Sequence, residues 1–210
     1  MSKYLHRDEA PFGATVWNHI DEVVIGTARG QLSARRLLDI EGPYGFGVKA
    51  LMETDTPAGD TAEYGGAEAT LAAAASLPLA TVRATFTLGA RDIAAYEDHA
   101  QPLGAGPAAM AAIACAQQED NIVFNGSKGL GIAGLVTAKE TLSHKLKSWN
   151  QVGAAVDNLI DAVTKLDDAG FHGPYTLALA PKLFNMLFRR YPQGNATEIE
   201  HVRQLLGGSV

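Results

Sequence analysis

Residues 48–76 run through Thr, Gly, Ala and Asp without a strong hydrophobic period, and include Thr56-Pro-Ala-Gly-Asp60 and Tyr64-Gly-Gly66. A structureless loop of that length is uncommon inside a compact domain, so the stretch is either disordered or a long arm stabilised by neighbouring subunits. The next segment favours the arm. Within residues 80–88, Ala80, Val82, Ala84, Phe86 and Leu88 alternate with Thr81, Arg83, Thr85 and Thr87, which predicts a strand with one buried face.

On either side of the arm the periodicity is mostly helical. Val16, Trp17, Ile20, Val23, Val24, Ala28 and Leu32 predict a helix over residues 15–32 with Thr15 as its cap, although Gly26 and Gly30 each cost about 1 kcal/mol relative to alanine. Residues 37–40 read as a short strand and Gly42-Pro43-Tyr44-Gly45 as a turn. Alanine-rich residues 108–124 predict a long helix. Val152, Ala155, Val156, Leu159, Ile160, Val163 and Leu166 form the stripe of another, with Ser148 or Asn150 near its start and Gly170 past its end. Residues 175–180 read as a strand leaving the Gly173-Pro174 turn, and Pro181 opens a helix through Leu183, Phe184, Leu187 and Phe188. Thr197-Glu-Ile-Glu200 has the capping-box spacing for a last helix ending before Gly207. The order of elements gives an α+β class.

Composition narrows the function. At 210 residues the chain is long enough for a real core in one or two domains, yet aromatics are only 7% and much of the apolar share is alanine, so parts of it are expected to be thin or extended. The formal charge of −6 argues against a broad nucleic-acid surface, which needs Lys and Arg to neutralise phosphates. One cysteine, Cys115, allows no intrachain disulfide. The early charges of Met1-Ser-Lys-Tyr-Leu-His-Arg7 and the lack of a long apolar run predict a cytoplasmic protein with no membrane partner.

Catalytic patterns are weak. Gly129-Leu-Gly131-Ile-Ala-Gly134 matches the dinucleotide fingerprint formally, but that motif needs a strand before it and a helix after it, and the preceding residues read as helix. His6, His19, His99, His144, His172 and His201 show no metal-ligand spacing, so no metal is expected. Cys115 sits in an alanine-rich run with no nearby base and reads as a packing residue. The pairs Asp21-Glu22, Glu119-Asp120 and Asp167-Asp168 point about 100° apart on a helix and make no catalytic dyad. No enzyme is expected.

The segments Glu41-Gly-Pro-Tyr-Gly45, Leu77-Pro-Leu with Arg83-Ala-Thr-Phe-Thr-Leu88, and Gly173-Pro-Tyr-Thr-Leu177 occur in one order with Ala10-Pro11, Trp17, Ile20-Asp21, Glu119-Asp120 and Phe124-x-Gly126. Together they resemble the encapsulin (linocin-like) family of shell proteins. The resemblance implies a tailed-phage major capsid fold, self-assembly into a closed icosahedral homo-oligomer within the cytoplasm, and enclosure of cargo enzymes. It divides the chain into an N-terminal arm, helix and strand (1–47), an extended loop (48–88), a peripheral spine-helix domain (89–145) and an apical domain (146–210). The family continues past the Gly207-Gly208 step with strands that complete two sheets. This sequence stops at Val210, so unpaired sheet edges are expected.

The resemblance also implies a site for a cargo targeting peptide between the first helix and the sheet. The matching positions are Ile25, Ala28, Arg29, Leu32, Arg35 and Asp39, the apolar ones as anchors and Arg35 and Asp39 orienting polar groups; the plainer alternative makes Ile25 and Leu32 a packing stripe. The segment matching the family's pore loop holds Arg189, Arg190, Tyr191, Gln193 and Asn195, where the arginines would favour small anions if they faced a channel; the plainer alternative is a surface loop. Some members hold flavin against an aromatic residue after the Thr-Phe-Thr-Leu strand; here Gly89-Ala-Arg91-Asp-Ile93 follows with no Trp, so no cofactor is expected. The competing readings are a phage or prophage capsid protein, a nucleotide-binding enzyme built on Gly129-x-Gly131, and a secreted antibacterial or proteolytic factor.

Overall fold

The computed structural model describes residues 3–139 and 141–207. The chain is an α+β protein that divides into two compact units, Met1–Lys139 and Glu140–Val210.

In the first unit, helix α1 (Ala14–Gln31) runs through both Gly26 and Gly30. Its amphipathic stripe carries it across them: Val16 and Ile20 are buried with Leu103 and Ala108, and Phe12, Trp17, Val24, Leu88, Ile93 and Tyr96 pack around them. Thr15 is not the cap expected from the sequence. Gly13 is, and its N–H donates to Glu97 Oε1 at 2.9 Å, so a carboxylate of another helix sits at the positive end of α1. Arg7 reinforces this end, with two bonds to Asp21 at 2.6 and 2.7 Å and its guanidinium 4.5 Å from the Trp17 ring centre.

The unperiodic stretch forms a two-stranded ribbon. Strands β1 (Ala50–Tyr64) and β2 (Ala67–Pro78) pair antiparallel, with register shifts between Met52 and Asp55 and between Pro57 and Thr61. Gly65 and Gly66 both have positive φ, 62° and 81°, the geometry of a two-residue hairpin loop. Almost every described residue of the ribbon is exposed, and Tyr64 is 93% exposed. With neither face packed, no selection for a buried side imposes a period of two, which is why the sequence hid these strands. An isolated two-stranded ribbon is marginal in water.

Residues 37–40 and 80–88, both expected as strands, have none assigned. A turn of 3-10 helix, Ala34–Arg36, precedes the first, and neither segment has a ladder partner among the described residues. Alternation declares which face is buried, whereas a strand also needs a neighbour for its backbone. Helix α2 (Ala90–His99), unforeseen in the sequence, follows and half-buries Ile93 and Tyr96 against α1. The long helix α3 (Gly106–Asn125) crosses α1 through Ala108, Ala112 and Ala116, one per turn and all buried. Small side chains at that spacing let helix backbones approach closely.

The glycine-rich motif after α3 is a C-terminal clasp. The chain bends back so that Leu135 and Val136 donate to the carbonyls of Val123 and Phe124 at 2.8 and 3.0 Å, satisfying groups a helix end leaves orphaned. Gly126 (φ 71°) and Gly134 meet backbone to backbone, where a Cβ on either would collide with the other. The motif is preceded by α3 and not by a strand, so it lacks the setting a dinucleotide fingerprint requires.

In the second unit, helices α4 (Ala154–Asp168), α5 (Pro181–Met186) and α6 (Glu198–Leu206) bury Trp149, Ala155, Leu159, Leu187, Ile199, Val202 and Leu206. Thr197 and Glu200 form the capping box read from the sequence, and Gly207 closes α6 with φ 79°. Neither Ser148 nor Asn150 caps α4; that position belongs to Gly153, with φ 97°. Gly170 (φ 86°) stands past the end of α4 as expected. Residues 175–180 again have no strand partner among the described residues, though Tyr175, Leu177 and Leu179 pack on the core.

Tyr175 ties that segment to α4 by donating to Asp167 and to the Phe171 carbonyl, the latter at 2.7 Å. The phenol's hydrogen bond holds the Asp167 carboxyl below the usual carboxylate range, against the opposing effect of desolvation. A carboxyl depressed on folding contributes stability that is present above its unfolded value and lost as pH falls through the folded one. The thermal midpoint of wild type should therefore exceed that of Tyr175→Phe at pH 6, and the gap should narrow as pH falls below about 4, leaving the part that the bond to the Phe171 carbonyl contributes. A gap that stays constant down to pH 2 would contradict the assignment.

Candidate functional site

The 80–88 segment, α1 and α3 enclose a groove of about 430 Å³. Ile25, Ala28, Arg29, Leu32 and Arg35 line its α1 side, Val82, Ala84 and Phe86 line another, and Ala111, Ala112, Cys115 and Ala116 of α3 make the floor. The alternating face of residues 80–88 thus points into a cleft, with Phe86 still 39% exposed. Ile25, at 49%, is likewise only partly covered, whereas Leu32 is buried. So the packing-stripe alternative describes Leu32 and not Ile25. Asp39 lies outside the groove, exposed beyond the 3-10 turn.

The floor was missed in the sequence. Ala108, Ala112 and Ala116 recur every four residues on one face of α3, a signal of close helix approach that alanine-rich composition masks.

The polar groups at the groove's end are largely committed to each other. Arg35 donates to Glu119 through Nε at 2.5 Å and Nη2 at 2.8 Å, a forked pair that raises the arginine's affinity for its proton. The neighbouring Asp120 accepts from the Ser33 N–H at 2.9 Å and the Ala34 N–H at 3.0 Å, fixing the 3-10 turn to α3. Asp120→Ala leaves the N–H of buried Ala34 without that acceptor and should cost roughly 1–2 kcal/mol. Urea unfolding at fixed protein concentration checks this, and Asp120→Asn should recover part of the loss. The groove offers aliphatic burial and a charged rim. No His, Asp or Lys stands among its lining residues to activate Cys115.

The pore-loop candidates fall in two groups. Arg189 is committed inside the second unit, donating to Met186 O at 2.9 Å, Trp149 O at 2.7 Å, Gln151 O at 3.3 Å and Glu198 Oε2 at 3.0 Å. Tyr191 stacks on His201, with ring centres 4.8 Å apart. Arg190 pairs with Thr197 by a β-bridge, and Gln193 and Asn195 occupy the exposed tip between them. The tip residues are uncharged, and of the two arginines Arg190 is the more exposed.

Among the described residues no group of three or more His, Cys, Asp or Glu is placed to hold a metal ion, and no helix is long and apolar enough to cross a membrane.

A chain with an unpacked projecting ribbon and a lined apolar groove belongs to the class of assembling structural proteins. A family model described as "Encapsulating protein for peroxidase" matches residues 1–210. The chain is 35% identical over 216 residues to the type 1 encapsulin shell protein EncA of Myxococcus xanthus, spanning 100% of this chain and 75% of that protein. It is 31% identical over 207 residues to a type 1 encapsulin shell protein of Rhodospirillum rubrum, with 97% and 73% covered. A diheme-cytochrome-encapsulin shell fusion protein of Kuenenia stuttgartiensis is 32% identical over 200 residues, with 92% and 55% covered. The chain belongs to the encapsulin (linocin-like) family.

Proposed function

We propose that this chain is a non-catalytic subunit of a closed, icosahedral nanocompartment with the tailed-phage major capsid fold, and that its α1/α3 groove docks the targeting peptide of an enclosed enzyme. It is a shell protein by family. In this reading residues 48–88 are the extended loop, whose ribbon reaches onto a neighbouring copy that covers its exposed faces while its last residues, 80–88, wall the groove with residues 1–47 and 89–145, and residues 146–210 form the apical domain with the 190–197 loop toward a pore.

The observation that carries the docking half is the groove itself. Ile25, Ala28, Arg29, Leu32 and Arg35 line one cleft whose walls are aliphatic and partly exposed. A short peptide with a few apolar anchors binds weakly alone, and many identical sites in one shell supply the avidity. Negative-stain microscopy of the purified protein should show uniform hollow particles; a small monodisperse species would refute closure. Co-expression with a fluorescent protein carrying a candidate peptide should give co-purification, and particles filled with DNA would point to a phage capsid.

A further inference from the structure

Asn158 is a buried polar side chain of α4, 1% exposed, and its hydrogen bonds reach back to the segment by which the chain enters the second unit. Its Oδ1 accepts from the Lys147 N–H at 3.1 Å and from the Trp149 indole N–H at 3.3 Å. Both partners can only donate, so the amide has one orientation, with Nδ2 turned the other way. Nδ2 lies 2.8 Å from Nε2 of His144. An amide nitrogen only donates, so His144 Nε2 accepts, which requires a neutral ring with its proton on Nδ1. Two further ties hold the same segment to α4: Lys147 Nζ donates to Asp161 and Lys165 Nζ to the Ser143 carbonyl, both at 2.5 Å. The charged groups about this contact are Lys145 and Lys147 on the segment itself and Asp157, Asp161 and Lys165 on α4. Asp161 follows Asn158 by about one helical turn, and its carboxyl is held below the usual range first by the Lys147 hydrogen bond and, in smaller measure, by charge on His144.

We infer that His144 is a proton-operated latch: the neutral imidazole holds residues 143–147 on α4 through Asn158, and the charged imidazole lets go and turns to Asp161. His144 is exposed, so a proton reaches it from solvent. The second ring proton sets an N–H against the Asn158 N–H. Asn158 cannot answer by turning over, because its nitrogen would then face the Lys147 and Trp149 donors. Nδ2 loses its acceptor, and the segment loses a tie to α4. Asp161 meanwhile offers the imidazolium a charge-assisted partner about one turn away. Because only the neutral ring accepts, the latch is closed above the range in which histidine titrates, about pH 8 to 5, and open below it. The release stops at Trp149, which is buried and whose carbonyl accepts from Arg189. The latch lies wholly within the second unit and is independent of the docking groove.

Hydrogen exchange of the full chain tests the latch, read by mass spectrometry on peptides spanning residues 142–149 and corrected for the intrinsic pH dependence of amide exchange. The Lys147 amide is the reporter, since its acceptor is Asn158. Between about pH 7.5 and 5.5 the opening of this segment in wild type should rise about three- to tenfold, while peptides of α3 stay unchanged. His144→Gln supplies a carbonyl oxygen that accepts from Asn158 at every pH, and it should remain closed across the range. His144→Ala should be open throughout, about three- to tenfold above wild type at the neutral end. Exchange in wild type that does not rise on acidification overturns the latch. A rise of the same size in His144→Gln overturns it too, because the titrating group would then lie elsewhere.

Discussion

Arg189→Met should destabilise the protein by about 3 kcal/mol, because it leaves the fully buried Glu198 carboxylate without its counter-ion. The estimate takes the lower end for a broken buried pair, since Arg189 is 27% exposed and water reaches part of the guanidinium. Glu198 also accepts from the Gly153 N–H. Together the two side chains pin the start of α4, residues 149–151 and the end of α5 to the start of α6. Glu198→Gln added to Arg189→Met removes the stranded charge while keeping an acceptor for Gly153, so the double variant should be more stable than Arg189→Met alone. Urea unfolding of the four proteins at one concentration closes the cycle. A single-variant loss under about 1 kcal/mol would mean that the pair is a solvated surface contact. Selective passage of small anions altered by Arg189→Met without loss of stability would return the guanidinium to a channel role.

Ala28→Trp should abolish retention of peptide-tagged cargo while hollow particles still form. Ala28 is half-buried on the α1 wall of the groove, and an indole projecting from it occupies the volume a peptide anchor would need. Burial of one aliphatic anchor contributes about 1.5–3 kcal/mol, so excluding it lowers affinity per site by more than about tenfold. Across many sites the loss of loading is larger still, because avidity compounds the weak single-site affinity. Co-purified fluorescence per particle measures it, and microscopy of the same sample shows whether the shell remains. Unchanged loading in intact particles would place the docking surface elsewhere.

These two predictions concern residues that the sequence treated differently. The resemblance to the family placed Ile25, Ala28, Arg29 and Leu32 at the site, and in the structure they line one side of the groove, while the alternation in residues 80–88 announced a second apolar face. The 108, 112, 116 stripe of α3 was present but unreadable, as alanine there looks the same as alanine anywhere in an alanine-rich helix. The resemblance puts Asp39 at the site with Arg35, yet beyond the 3-10 turn at Ala34–Arg36 it lies outside the groove. Arg189 looked like a surface cation because charge in a loop usually is. Its burial depends on Glu198, whose side chain the capping pattern of Thr197 and Glu200 gave no reason to place inside.

The sequence by itself determined the helices and their ends wherever a local rule suffices: the stripes of α1 and α4, Pro181 opening α5, the capping box of α6 and Gly207 at its close. It also determined that residues 48–76 lie outside any core. Tertiary structure alone decided what those residues pair with and which carboxylates cap α1 and the Ala34–Arg36 turn. Glu97, Asp120 and Glu119 act across separations of more than eighty positions. Local propensity extends over a few residues, whereas hydrogen bonds and ion pairs form between whatever groups the packing of apolar faces brings within about 3 Å.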